Sequence, residues 1–144
     1  MLTVEESVVI DRPRAEVFDF FANPDNVAVY SSNLVDYDVV SGGPHEVGRQ
    51  AKFAVKVVGV RLDYTDELVE FAENERLKTS SKDGRIPYSI TLTFADEGSG
   101  TTVSWLQEVE SLGGVFKFGD NLVIKMYTKD VRSNLEKAKA LLEG

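Results

Sequence analysis

Residues 113–121 read Gly-Gly-Val-Phe-Lys-Phe-Gly-Asp-Asn, and Gly114 and Gly119 stand at the spacing of the first two glycines of the phosphate-loop pattern G-x-x-x-x-G-K-[ST]. That loop needs a lysine after its second glycine to meet phosphate charge, and a hydroxyl to hold a metal ion. Here Asp120 and Asn121 occupy those places, and a carboxylate would repel the phosphate. A phosphate loop also joins a strand to a helix inside a βαβ unit, whereas this stretch follows a run of antiparallel hairpins. As a helix N-cap, Asp120 would accept orphan amide bonds and favour the positive end of the helix dipole. The segment therefore predicts a glycine-hinged link into a helix, with Val115, Phe116 and Phe118 available to close over whatever lies beneath.

Other reactive groups are sparse. The chain has no cysteine, so disulfides, thiolate metal sites and a cysteine nucleophile are absent. Its one histidine, His45, lies in the turn-rich stretch Ser-Gly-Gly-Pro-His-Glu-Val-Gly, without a sequence partner that marks a triad or a metal site, and reads as a loop residue. Glu108 and Glu110 share a strand face at i and i+2 and could be written as an acid/base pair, but they read as pointing to water. Asp63, Asp66, Glu67 and Glu70 lack the histidines of a metal cluster and read as a solvated strand face. Arg49 and Lys52 at the entry to a strand, with Arg61 and Arg85 in or near turns, read as surface charges. No metal and no cofactor is expected.

What remains is a set of hydroxyl, amide and aromatic groups at positions that alternation turns inward. These are Tyr64, Thr79, Ser81, Tyr88, Trp105 and Gln107. In the last strand, Val103, Trp105, Gln107 and Val109 form the favoured inward set; a one-residue bulge would exchange them for Ser104, Leu106 and Glu108. From the following helix, Met126 or Tyr127 would meet this set, and Phe118 would cap it. Polar groups scattered among aromatics are what a site for an amphiphilic ligand presents.

The elements that must position these groups follow from periodicity. Residues 2–10 read as a strand, followed by a short helix opened by Pro13, with Val17, Phe18 and Phe21 as its buried stripe. Asn23 and Pro24 open a second short helix. Six segments rich in β-branched and aromatic residues follow, over 34–42, 49–58, 60–72, 76–82, 87–94 and 101–110, with connections too short for parallel crossovers. Alternation is cleanest for Ala51, Phe53, Val55, Val57 and for Tyr88, Ile90, Leu92, Phe94. After Gly119 the pattern turns helical for about 24 residues, with Val123, Tyr127, Val131, Leu135, Ala138 and Leu142 on one face. Such a helix runs ~36 Å and can cover one curled sheet.

Composition limits the partners. With 24 acidic and 16 basic residues the net charge is −8; residues 1–119 carry 20 acids against 11 bases, and residues 120–144 carry 4 against 5. An acidic body repels nucleic-acid phosphates and anionic lipid surfaces. No stretch approaches the ~20 apolar residues of a spanning helix, and the N-terminal stretch has acids where an export signal carries bases. The expectation is a soluble, cytoplasmic chain with no nucleic-acid partner and no stable membrane insertion. At 144 residues it reads as a single domain with a real core, without repeats or an internal linker.

Strand, two short helices, six antiparallel strands and a long C-terminal helix is the helix-grip arrangement of the α+β class, a seven-stranded curled antiparallel sheet gripping a helix around a cavity. The chain resembles the START-like (SRPBCC) superfamily, near its polyketide cyclase/dehydrase group. The resemblance runs along the whole chain: residues 10–35 resemble the opening helix pair, Gly-Pro-His-Glu-Val-Gly-Arg-Gln-Ala-Lys-Phe the turn into the third strand, and Gly-Ser-Gly-Thr-Thr-Val-Ser-Trp the turn into the last. It implies a deep pocket between sheet and C-terminal helix that takes lipids, sterols, quinones, plant metabolites or polyketide intermediates.

Two functions fit. One is a carrier, sensor or chaperone-like protein for a lipophilic or amphiphilic small molecule, favoured because no nucleophile, metal site or general base stands out. The alternative is a polyketide cyclase/aromatase or dehydratase-type enzyme, for which Tyr64, Tyr88 and Ser81 would supply hydroxyls and Gln107 an orienting amide. A protein-interaction domain is a third possibility that some relatives exemplify.

Overall fold

A computed structural model describes all 144 residues, Met1–Gly144. Strand β1 (Leu2–Ile10) leads into α1 (Arg14–Ala22), a single 3-10 turn (Pro24–Asn26) and the short α2 (Val27–Tyr30). Strands β2 (Leu34–Ser41), β3 (Gln50–Val57), β4 (Val60–Ala72), β5 (Arg76–Ser81), β6 (Tyr88–Glu97) and β7 (Gly100–Val109) follow, and α3 (Asp120–Glu143) closes the chain. The expected element order is the observed one, and the fold is the helix grip.

Local chemistry explains the helix starts. Pro13 stands at the N-cap of α1 in extended backbone, one position earlier than its fixed φ alone suggests. The Asn23 side chain accepts the Asp25 N–H at 3.0 Å, with Pro24 next, so the second helical segment opens as expected. At α3 the expectation fails by one residue: Gly119 is the N-cap and Asp120 is already helical, with no side-chain cap bond. Asp120 therefore acts only through its charge on the helix dipole.

Every strand pair is antiparallel, in the order β1-β7-β6-β5-β4-β3-β2, so the meander from β2 to β7 is completed by β1 pairing back onto β7. Register shifts at Leu34/Asp36, Val39/Ser41 and Leu68/Glu70 break the ladders on β2 and β4. Such bulges bend and twist strands, which lets a seven-stranded sheet curl.

The apolar faces meet in two clusters. One, of 15 buried residues, joins Val17, Phe18, Phe21 and Ala22 of α1 and Val131, Leu135 and Ala138 of α3 to Val4, Ile10, Phe94 and Val103 on the strands. Phe18 sits edge-on to Phe71 and Phe94, with centroids at 5.4 and 5.1 Å, a favourable quadrupole geometry. The second, of 7 residues, gathers Val57, Leu62, Tyr64, Ile86, Val109, Leu112 and Val123 at the other end of the sheet. No helix is long and apolar enough to cross a membrane.

Candidate functional site

All seven residues of that second cluster also line a cavity between the concave face of the sheet and α3. This end of the molecule is a wall around a hollow rather than a filled core. The cavity measures about 190 Å³, on the order of ten times the room one water needs. Of its 31 lining residues 24 are hydrophobic, so an occupant meets apolar surface almost everywhere and polar groups at a few points.

Strand β7 pairs without interruption with β1 on one side and β6 on the other. The absence of a bulge settles its register: Trp105, Gln107 and Val109 face the cavity, and Glu108 lies on the other face. The Trp105 indole N–H donates to the Gln107 side-chain oxygen at 3.2 Å, and the Tyr127 hydroxyl donates to the same oxygen at 2.9 Å from α3. An indole N–H can only donate, so the Gln107 oxygen must face it. The Gln107 amide NH2 is left without a partner inside the chain. Burial raises the Tyr127 hydroxyl pKa, the bond to Gln107 opposing it, so the phenol stays protonated at neutral pH.

Tyr64, Thr79 and Tyr88 also line the cavity. The Thr79 hydroxyl has no hydrogen bond within the chain. Tyr64 presents its ring but spends its hydroxyl on the Ile86 carbonyl at 2.8 Å. Across the strands its ring stacks on Phe53, centroids 5.6 Å apart, and meets Tyr88 edge-on at 5.0 Å; Phe53 in turn pairs with Tyr37. Gly84 backs onto this aromatic row: a Cβ there would meet Tyr64 Cδ1 at 2.4 Å, and its φ of +105° suits glycine alone.

Three expected residues lie elsewhere. Ser81 is opposite inward-facing Asp66 but does not line the cavity, because the β5–β6 ladder ends at Ser80/Ser89 and the Ser81 hydroxyl takes over the pairing. It accepts the Tyr88 N–H at 2.9 Å and donates to the Tyr88 carbonyl at 3.3 Å. Phe118 is 49% exposed and Met126 is 38% exposed, both outside the cavity. The lining aromatic of the β7–α3 link is Phe116, and the lining residues of α3 are Val123, Ile124, Tyr127 and Asn134.

Two charged residues read as solvated are inside instead. Asp66 is 9% exposed and Arg49 8%, and both line the cavity. Leu62, Tyr64, Asp66 and Leu68 alternate inward along β4, while Asp63, Glu67 and Glu70 form ion pairs with Arg61, Lys82 and Arg76 on the other face. Arg49 continues inward the alternation of Ala51, Phe53, Val55 and Val57. One of its guanidinium N–H groups donates to the Pro44 carbonyl. The Asp66 carboxylate closes no ion pair, and the Tyr88 hydroxyl is turned toward it. Burial pushes its pKa up to about 6, opposed by the Arg49 charge and the nearby Tyr88 hydroxyl. Tyr37, also on the lining, is pushed up to about 12 by burial and by Asp66, with Arg49 opposing.

The turn before β2 is held separately. The Asn134 side-chain oxygen accepts the Ser32 N–H and hydroxyl at 3.1 and 3.0 Å, and its amide donates to Asn33 at 3.3 Å. Asn134 is thus spent on structure although it borders the cavity. His45 stacks on Phe71 in an exposed turn, outside the site.

Residues 1–143 match the profile of a family described as polyketide cyclase / dehydrase and lipid transport. Among solved structures, the chain is similar to a protein from Thermus thermophilus (20% identity, TM-score 0.82, 99% of this chain and 97% of that one). It is also similar to a START superfamily protein from Mycobacterium smegmatis (12%, 0.81, 98% and 97%) and to major latex-like protein 151 from Panax ginseng (16%, 0.77, 97% and 96%). At these identities the likeness is one of fold. No curated protein matches the chain.

Proposed function

Starting from a chain that belongs to the polyketide cyclase/dehydrase and lipid transport family, we propose that it binds a lipophilic or amphiphilic small molecule in the cavity between the sheet and α3. The observation that carries this reading is that an entire buried cluster, Val57 to Val123, borders empty space. Hollows are costly: at about 24 cal/mol per Å³, a cavity of this size forgoes several kcal/mol of packing that an apolar occupant would restore. In this reading Tyr64, Tyr88, Trp105 and Tyr127 supply the aromatic wall, while Thr79 and the free Gln107 amide offer directional bonds. Residues 1–144 act as one ligand-binding domain, since β2 to α3 all contribute to the wall.

Native mass spectrometry of freshly purified protein tests the proposal. A discrete adduct that is lost on denaturation is expected; bare protein, together with no calorimetric or Trp105 emission response to any apolar ligand, would sink it.

The enzymatic alternative loses two of its three hydroxyls, since Tyr64 donates to Ile86 and Ser81 is tied to the Tyr88 backbone. One observation favours retaining a catalytic reading: Asp66 is an unpaired, desolvated carboxylate facing the cavity, and its pKa of about 6 suits a general base near neutral pH. Turnover of a polyketide-like substrate that survives Asp66→Asn unchanged would remove that support.

A further inference from the structure

We propose that Arg49 and Asp66 form a head-group pocket at one pole of this cavity, and that it selects a neutral hydroxyl, a phenol or an enol on an apolar ring body, over carboxylate and ammonium head groups. The inference rests on the cavity holding a small molecule at all.

The two side chains are held as neighbours by strand register. Asp66 stands opposite Ala51 on β3, and Arg49 lies two residues before Ala51 on the same face; such diagonal neighbours are about 7 Å apart, within reach of a long side chain. The Leu68 N–H donates to the Arg49 carbonyl at 2.9 Å, and Gly42 packs so closely that a Cβ on it would meet Arg49 Cα at 2.8 Å. The bond to Pro44 then fixes the guanidinium itself. Despite this the opposite charges close no ion pair, and each is more than nine-tenths buried. Desolvated charges cost several kcal/mol each unless something satisfies them. The Pro44 carbonyl and the Tyr37 hydroxyl meet Arg49 and the Tyr88 hydroxyl meets Asp66, but these groups serve one charge each, whereas a group between the two serves both. Tyr37 from β2, Tyr64 from β4 and Tyr88 from β6 surround them with neutral phenols, so no further charge biases the pole.

The demands on the occupant follow from donor and acceptor inventory. Arg49 only donates and ionised Asp66 only accepts. A hydroxyl accepts from the first and donates its proton to the second. A carboxylate satisfies Arg49 but confronts Asp66 with like charge, and an ammonium reverses the conflict. The ring body would lie along the row Tyr37–Phe53–Tyr64–Tyr88.

Calorimetric titration with naphthalene, 2-naphthol and 2-naphthoate at about pH 7.5 tests this. 2-Naphthol is expected to bind at least about tenfold more tightly than naphthalene, as hydrogen bonds to charged groups allow, and 2-naphthoate more weakly than 2-naphthol. In Asp66→Asn the phenol's advantage over naphthalene is expected to shrink to about threefold, while 2-naphthoate gains about tenfold because Arg49 has lost its competing charge. A structural defect would weaken all three ligands together. Equal binding of 2-naphthol and naphthalene to the native protein, or a preference for 2-naphthoate, overturns the head-group pocket while leaving the cavity as a binding site. Binding of none of the three overturns both.

Discussion

The Tyr127 hydroxyl on α3 donates to the Gln107 side-chain oxygen on β7 at 2.9 Å, a bond between helix and sheet made at the cavity wall. The other polar ties from α3 to the sheet, Arg132 to Glu6 and Lys139 to the Val9 carbonyl, are on the exposed rim. Tyr127→Phe removes one donor, but the Gln107 oxygen still accepts from Trp105, so the expected loss is about 1 kcal/mol. Gln107→Leu strands two donors at once and should cost about 2 kcal/mol or more. Urea denaturation midpoints measure both, and a Gln107→Leu protein as stable as Tyr127→Phe would refute the shared acceptor.

Asp66 makes stability depend on pH in a direction opposite to that of a salt-bridged carboxylate. Its pKa rises from an ordinary 3.8 to about 6 on folding, chiefly through burial. The folded state therefore holds the proton more tightly than the unfolded state. Below about pH 4 both states are protonated and nothing is lost; between about 4 and 6 stability falls, and above that the cost levels off at roughly 3 kcal/mol. Asp66→Asn abolishes the titration. The variant should be more stable than the native protein at pH 7.5 by about that amount, and the difference should fade toward pH 4. A stability difference that does not vary with pH would show that Asp66 is not held desolvated.

Gly84 permits the aromatic wall to stand where it does. Gly84→Ala imposes a left-handed φ on alanine and drives its methyl group into the Tyr64 ring, which Phe53 and Tyr88 flank. The expected cost is about 2 to 3 kcal/mol. Gly98→Ala is the internal control: its φ is +60° but no atom lies within 4 Å, so backbone strain acts alone, at about 1 kcal/mol. Equal midpoints for the two variants would mean that the Tyr64 ring yields freely.

The architecture was legible because period-2 alternation on β3 and β6 and the helical stripe of α3 are sustained signals, and every residue they marked is buried or half-buried. Trp105 and Gln107 followed once β7 ran without a bulge. Arg49 and Asp66 were missed through the default that charges face water, although the signal was present. Asp66 is two residues beyond Tyr64, and Arg49 two before Ala51, so each shares a face with a residue read as inward. Ser81 shows the reverse error, since alternation gives a side chain's face but not how its hydroxyl is spent. Met126 neighbours the lining residue Tyr127 on α3 but points outward, and such a helix position is decided by rotation of only about 100° per residue.

The link before α3 offers the sharpest test of which aromatic closes the cavity, because no periodicity distinguishes Phe116 from Phe118. Gly113 and Gly114 both adopt left-handed φ, +60° and +71°, and turn the chain so that Phe116 reaches the lining while Phe118 remains outside. Phe116→Ala removes apolar surface that an occupant would cover, worth about 1 to 2 kcal/mol, and should weaken binding of an apolar ligand about tenfold. Phe118→Ala removes a ring that already faces water and should leave the affinity within about twofold. Trp105 emission, or calorimetry with naphthalene, reads both variants. Equal losses would place both rings over the cavity in solution, and a loss confined to Phe118→Ala would mean that the link closes the other way round.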